Sequence, residues 1–143
     1  MQVHFIGLGE VEMFNLALAL HKKGDTVTGS DELFNESLKT VMREQGLMSD
    51  EIGWFSNKIN SQLDAVVLGA TVKKDNPELE KAKELGLRLV SYPEFLYELV
   101  KLKTRVVITG SRRRSEVVSM ILHVLDYNNI EVDYVLPSPN GIH

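Results

Sequence analysis

The sequence predicts an α/β fold: a doubly wound, mainly parallel sheet with a C-terminal βαβ extension. Two observations carry that expectation. Apolar β-type runs alternate with amphipathic helical stretches along almost the whole chain, as right-handed βαβ crossovers require. A Gly-x-Gly turn, Gly7-Leu8-Gly9, also follows the first apolar run directly, where a strand hands over to a helix.

The elements follow in order. Val3–Ile6 is a short strand. Val11–Lys23 is a helix with Met13, Leu16, Ala17 and Leu20 on one face, ended by Gly24. Thr26–Thr28 begins the second strand. Asn35–Gln45 is an amphipathic helix closed by Gly46. Ala65-Val66-Val67-Leu68 is continuously apolar, as a strand covered on both faces would be. Asn76-Pro77-Glu78 opens a further helix with proline just inside its start, and Gly86 ends it. Leu87–Val90 then reads as a strand, Pro93–Lys101 as a helix, Val106–Thr109 as a strand, Ser115–Tyr127 as a helix and Val132–Leu136 as a last strand. Pro137-Ser138-Pro139-Asn140-Gly141 reads as a turn or disordered terminus. The one short seam is Leu102-Lys103-Thr104, which divides the chain into residues 1–102 and a βαβ unit, 103–143, expected to pack together as one unit.

Composition narrows the function classes. The chain has 143 residues, 43% hydrophobic and 25% charged, ordinary for a globular domain able to bury a core. No signal-peptide pattern or membrane-length apolar run is present. There is no cysteine, so disulfides and thiolate metal sites are excluded. A cytoplasmic location fits these features. The net charge of −4 argues against a nucleic-acid partner. His4, His21, His123 and His143 are scattered without metal-ligand spacing, and His4 reads as a core or edge residue. Trp54 and Phe55 read as core or loop anchors, since no basic residues interleave with them as in a base-stacking platform.

Two loops carry the candidate chemistry. In Gly7-Leu8-Gly9-Glu10-Val11-Glu12, Gly7 and Gly9 occupy the first two glycine positions of a Rossmann-like phosphate turn, while Glu12 occupies the third. Asp31 follows the second strand, about twenty residues on, where an acid often meets a ribose hydroxyl. A tight βα turn without any ligand would also use both glycines. Glu10 and Glu12 suit the helix dipole but would repel a diphosphate at the same place. The second loop, Thr109-Gly110-Ser111-Arg112-Arg113-Arg114-Ser115-Glu116, again stands at a strand-to-helix junction. It carries three arginines where glycine and lysine belong.

The series His4-Phe5-Ile6-Gly7-Leu8-Gly9, Met13, Leu16 to Leu20, Gly24 and Gly29-Ser30-Asp31 resembles the start of a Mur ligase. The similarity runs on through Asp75-Asn76-Pro77-Glu78, Leu85-Gly86-Leu87, Ser91 to Leu96, Val106 to Ser111 and Ser119-Met120. It is greatest to the branch that joins an amino acid or peptide to UDP-N-acetylmuramate, murein-peptide recycling ligases included. The resemblance implies that residues 1–102 form the Rossmann-like domain that holds the UDP-sugar. Residues 103–143 would be only the opening β-α-β of the central domain that binds ATP and magnesium. The later magnesium ligands and the third domain are missing, so the chain reads as truncated.

On that resemblance the candidate UDP-sugar-binding residues are Gly7, Gly9, Ser30, Asp31 and Thr71. The departures bear on activity. Glu10 and Glu12 replace small residues in the first loop. The family's ATP loop, Gly-Thr/Ser-His-Gly-Lys-Thr-Thr, here reads Gly110-Ser111-Arg112-Arg113-Arg114-Ser115-Glu116. Arg113 stands for a glycine needed for curvature. Arg114 stands for the lysine that reaches the β/γ-phosphates, and arginine is no neutral substitute for it. The expectation is a pseudoenzyme with no catalytic residues, no cofactor of its own and no metal site. It would be related to cell-wall (peptidoglycan) precursors, with residual UDP-sugar binding or a regulatory role.

The alternative is an interaction or oligomerisation module without a nucleotide. There Glu10 and Glu12 would pair with Arg112, Arg113 and Arg114 across one shared rim of the sheet, within one chain or between two copies. Exposed pairs contribute only about 0–1 kcal/mol each, so they would set orientation while apolar surface drove assembly. As a third reading the arginines contact an anion or nucleic acid, although the acidic chain offers no extended basic surface and a solvated charge run explains them better. A decayed gene product that still folds is the fourth.

Overall fold

The computed structural model describes residues 1–34, 36–45 and 52–136. Four strands form one sheet: β1 (Gln2–Ile6), β2 (Thr26–Ser30), β3 (Ala65–Leu68) and β4 (Leu89–Ser91). Their order is β2-β1-β3-β4 and every pairing is parallel. The helices are α1 (Val11–Lys22), α2 (Glu36–Glu44), α3 (Pro77–Glu84), α4 (Tyr92–Val100) and α5 (Arg114–Tyr127). A 3-10 turn, Ser56–Lys58, precedes β3. The parallel α/β architecture expected from the alternating pattern is therefore present.

Alternation along β1 divides the core. Val3 and Phe5 face α1, α2 and α4, in a cluster with Met13, Leu16, Leu20, Leu38, Met42 and Phe95. Phe5 and Phe95 meet edge to face, with ring centroids 6.4 Å apart. Ile6 faces the other way, toward Ile59, Val66, Leu79 and Ala82, with Trp54 packed at the margin. Trp54 is thus an anchor of the loop before β3, one of the two roles expected of it.

Local chemistry explains the helix starts. The Asn76 side chain accepts the N–H groups of Glu78 (2.9 Å) and Leu79 (3.1 Å), with Pro77 at the first helical position. The Ser91 N–H and hydroxyl both donate to Glu94 Oε2, closing a capping box on α4. The expected stops at Gly24 and Gly86 lie just past α1 and α3. Gly46 and the 137–141 turn lie outside the described residues.

His4 is fully buried on the Ile6 face of β1. Its Nδ1 lies 2.8 Å from Thr28 Oγ1, and its Nε2 lies 3.2 Å from Glu78 Oε2. The Phe55 N–H donates to Glu78 Oε1 at 2.7 Å. Burial pushes the Glu78 carboxyl up, but the His4 hydrogen bond and charge, the Ser30 hydroxyl and the Phe55 N–H outweigh it. The net effect holds Glu78 below the ordinary glutamate range. This buried pair ties the 54–59 loop and α3 to the centre of the sheet.

The C-terminal segment departs from expectation. Residues 106–109 and 132–136 are not strands and pair with nothing in the sheet; only the helix between them forms. No residue of α5 is buried. Ile108, Val118, Leu122, Leu125, Tyr134 and Leu136 reach half-burial. Val106 and Val107 are 81% and 79% exposed. An apolar run becomes a strand only when a neighbouring edge accepts its backbone groups, and β4 does not take up that role for residues 105–109. The segment is held instead by polar ties. Asp133 pairs with Lys103 and with Lys23, and the Arg105 guanidinium lies over the Tyr97 ring.

Candidate functional site

The carboxyl ends of β1, β2 and β3 make a rim. Order in the sheet reverses there: the chain goes from β1 to β2 on one side, then returns to β3 on the other. The crevice between β1 and β3 is the topological switch point, where open α/β sheets receive ligands.

The first wall is the Gly7–Gly9 turn. Gly7 takes a left-handed backbone (φ +95°), and the N–H groups of Gly7 and Leu8 both donate to the Ser30 carbonyl, at 2.9 and 3.1 Å. Gly9 admits no side chain, since a Cβ there would lie 2.1 Å from the Leu33 carbonyl oxygen and 2.9 Å from Asp31 Oδ2. Its N–H instead donates to Asp31 Oδ2 at 2.8 Å. Asp31 Oδ1 accepts the Leu33 N–H at 3.0 Å, and the Asp31 carbonyl accepts the Gly53 N–H at 2.8 Å. Both carboxylate oxygens of Asp31 therefore hold the chain's own backbone.

Ser30 serves the site through its carbonyl. Its side chain is buried, with its hydroxyl 3.4 Å from the Lys58 ammonium, and it helps to hold the Glu78 carboxyl down. Lys58 also lies 4.5 Å from the centroid of the Phe55 ring. Thr71 is exposed on the opposite wall, in the loop after β3.

The two acids of the first loop take different positions. Glu10 crosses the crevice. Its carboxylate accepts the Ala70 N–H (3.3 Å), the Thr71 N–H (3.1 Å) and the Thr71 hydroxyl (2.7 Å). Gly69 makes room for it, because a Cβ there would stand 2.8 Å from Glu10 Oε1. Glu12 is exposed in the first turn of α1. Its charge reaches the Tyr92 phenol, which burial first and Glu12 second push up. Gly69 and Ala70 escaped the sequence analysis, although the small-residue run Gly69-Ala70-Thr71 directly after an apolar strand was a usable signal.

The second loop does not join this rim. Residues 105–109 add no strand to the sheet, so the expectation that both loops share one carboxyl-end edge does not hold. Gly110, Ser111, Arg112, Arg113, Arg114 and Ser115 are all exposed. Arg113 has a left-handed backbone (φ 56°) at the N-cap of α5, with no side-chain cap. Its guanidinium lies 3.8 Å from Glu116. The expected pairing of Glu10 and Glu12 with Arg112–Arg114 within the chain is absent among the described residues. Glu10 has a nearer set of donors in the loop after β3, and Arg113 has Glu116 in its own helical turn. A groove of about 1030 Å³ runs between α5 and residues 129–136, lined by Ser119, His123, Asp126 and Asp133 among others. None of the rim residues lines it.

A parallel sheet in order 2-1-3-4, with a glycine turn and an acid at the switch point, defines a Rossmann-like α/β domain. Residues 2–104 match the family model described as Mur ligase family, catalytic domain. The chain belongs to the Mur ligase family.

Among its relatives, the UDP-N-acetylmuramate–L-alanine ligase of Rhizobium meliloti is 34% identical over 129 residues, covering 90% of this chain and 27% of that protein. The murein peptide ligase of Psychrobacter arcticus superposes with a TM-score of 0.78 at 29% identity, over 90% of this chain and 27% of its own. The UDP-N-acetylmuramate:L-alanyl-gamma-D-glutamyl-meso-diaminopimelate ligase from Neisseria meningitides shares the fold, with a TM-score of 0.81 at 24% identity. That match covers 96% of this chain and 43% of the other. The chain spans about a quarter of the length of the curated relatives it matches. Among the described residues, no helix is long and apolar enough to cross a membrane.

Proposed function

We propose that this chain is a non-catalytic Mur ligase-like module of cell-wall precursor metabolism, whose rim at β1, β2 and β3 takes a UDP-sugar. The observation that carries this reading is the switch-point crevice. Gly7, Gly9 and Gly69 bring backbone close to a prospective ligand there, Asp31 stands at the β2 end, and Thr71 stands across from it. The ligand class comes from the relatives, which are named for UDP-N-acetylmuramate.

The absence of ligase chemistry rests on the second loop. Three exposed arginines at 112–114, one with the backbone of a glycine position, do not fit a magnesium nucleotide. Such a cradle uses closely spaced backbone N–H groups, a compact lysine ammonium and a hydroxyl on the metal. The loop therefore supports no step through ATP. What the rim can do is bind: its turns and fixed acid select a ligand by shape and hydrogen bonding.

Titration calorimetry with UDP-N-acetylmuramate and, separately, ATP–magnesium tests this. The reading expects saturable UDP-sugar binding and no ATP binding or phosphate release. ATP turnover with UDP-N-acetylmuramate and L-alanine would overturn the non-catalytic assignment.

The exposed apolar residues of the C-terminal segment favour a second reading, a self-associating module. Met120, Val124 and Tyr127 are 66%, 59% and 82% exposed on α5, more apolar helix surface than isolated residues explain. Concentration-dependent sedimentation would separate this from a monomeric binder.

A further inference from the structure

We propose that the crevice between β1 and β3 is an anion site that the protein fills with its own Glu10 carboxylate, so that a phosphate-type ligand enters only by displacing that side chain. The identity of the ligand rests on the UDP-sugar reading above; the displacement itself does not.

Three donors converge from one short loop. The N–H groups of Ala70 and Thr71 and the Thr71 hydroxyl all point at one carboxylate, and Oε1 alone takes two of the bonds. Adjacent backbone N–H groups with a hydroxyl beside them suit a phosphate oxygen as well as they suit a carboxylate. Gly69 keeps the floor of the crevice open: its missing side chain is the space where Glu10 Oε1 lies. The site also stands where the sheet topology directs ligands. A glutamate that bridges 60 residues of sequence to reach it therefore acts as an internal stand-in for the ligand's anion.

This explains why the two acids of the first loop should differ in effect. Both carry the same charge in the same region of α1. Only Glu10 occupies the donors, while Glu12 is exposed and bonded to none of them. A general repulsion would weight them alike. Occupancy singles out Glu10.

The test compares the native chain with Glu10→Ala, Glu10→Gln and Glu12→Ala. Each is titrated with inorganic pyrophosphate and with UDP-N-acetylmuramate while amide resonances are followed. Thermal melting checks that every variant is folded. Removing the three bonds to Glu10 should tighten anion binding by about tenfold or more in Glu10→Ala, with the Ala70 and Thr71 amides moving on titration. Glu10→Gln should follow the same direction, and Glu12→Ala should change affinity by less than about twofold.

Equal gains from Glu10→Ala and Glu12→Ala would overturn the proposal in favour of simple repulsion. Folded Glu10 variants whose Ala70 and Thr71 amides ignore both probes would also overturn it. If those amides respond to pyrophosphate and never to UDP-N-acetylmuramate, displacement stands and the UDP-sugar reading falls. If native protein and Glu10→Ala bind UDP-N-acetylmuramate equally, the UDP-sugar reading stands and displacement falls.

Discussion

Residues 1–100 and residues 105–136 follow the same rule, apolar run then glycine turn then amphipathic helix, and they reach different ends. In the first region β1 sits between β2 and β3, and Val3, Phe5 and Ile6 are fully buried. In the second, Val106 and Val107 are almost fully exposed and the helix that follows buries no residue. Local propensity is similar in the two regions, but the supply of neighbours differs. A helix can satisfy its own backbone, so α5 forms although none of its residues is fully buried. A strand needs an adjacent edge, so residues 106–109 and 132–136 form no strand.

The two loops repeat the contrast. The first is fixed on all sides by the β2 and β3 ends, and its acid is drawn into the sheet's switch point. The second has no sheet beneath it, and its arginines face solvent or their own helical turn.

The contrast yields graded expectations. The largest effect belongs to the centre of the first region. Phe5→Ala should cost about 3–5 kcal/mol, because the ring is fully buried against Phe95. Val107→Ala should stay within about 0.5 kcal/mol; urea unfolding midpoints measure both.

Next comes the buried pair. Glu78→Ala leaves His4 and the Phe55 N–H without their partner and should cost about 3 kcal/mol by the same measurement.

The pH dependence of that pair has a definite sign. Glu78 is held below its ordinary value of 4.5 in the folded state. Its contribution is therefore complete above that pH and is lost as the pH falls through the lower folded value. Stability followed from about pH 6 to about pH 3 should decline less steeply in Glu78→Gln than in the native chain.

Asn76→Ala removes the cap of α3 and should cost about 1 kcal/mol. It would sharpen the comparison, since α5 has no side-chain cap to lose.

Much of the first region was legible in sequence. The Gly7-Leu8-Gly9 turn, the continuous apolar β3 and the Asn76-Pro77 start of α3 are encoded by neighbouring residues, and each forms as expected. The unpaired C-terminal strands were not legible, because Val106–Thr109 has the composition of a strand and lacks only an edge to join. Nor was Glu10's position, since its donors stand 60 residues away and meet it only once β1 and β3 pair. Ser30 shows the same limit: the sequence placed it at the rim, while the buried Glu78 and Lys58 draw its hydroxyl inward.

Native-state hydrogen exchange, read residue by residue, tests the central contrast most directly. The amides of Phe5, Ile6, Val66 and Val67 should exchange only through global unfolding, while those of Val106, Val107 and Val132 exchange near the rates of an unfolded chain. Comparable protection in the two regions would contradict the account, because residues 106–109 would then belong to a sheet.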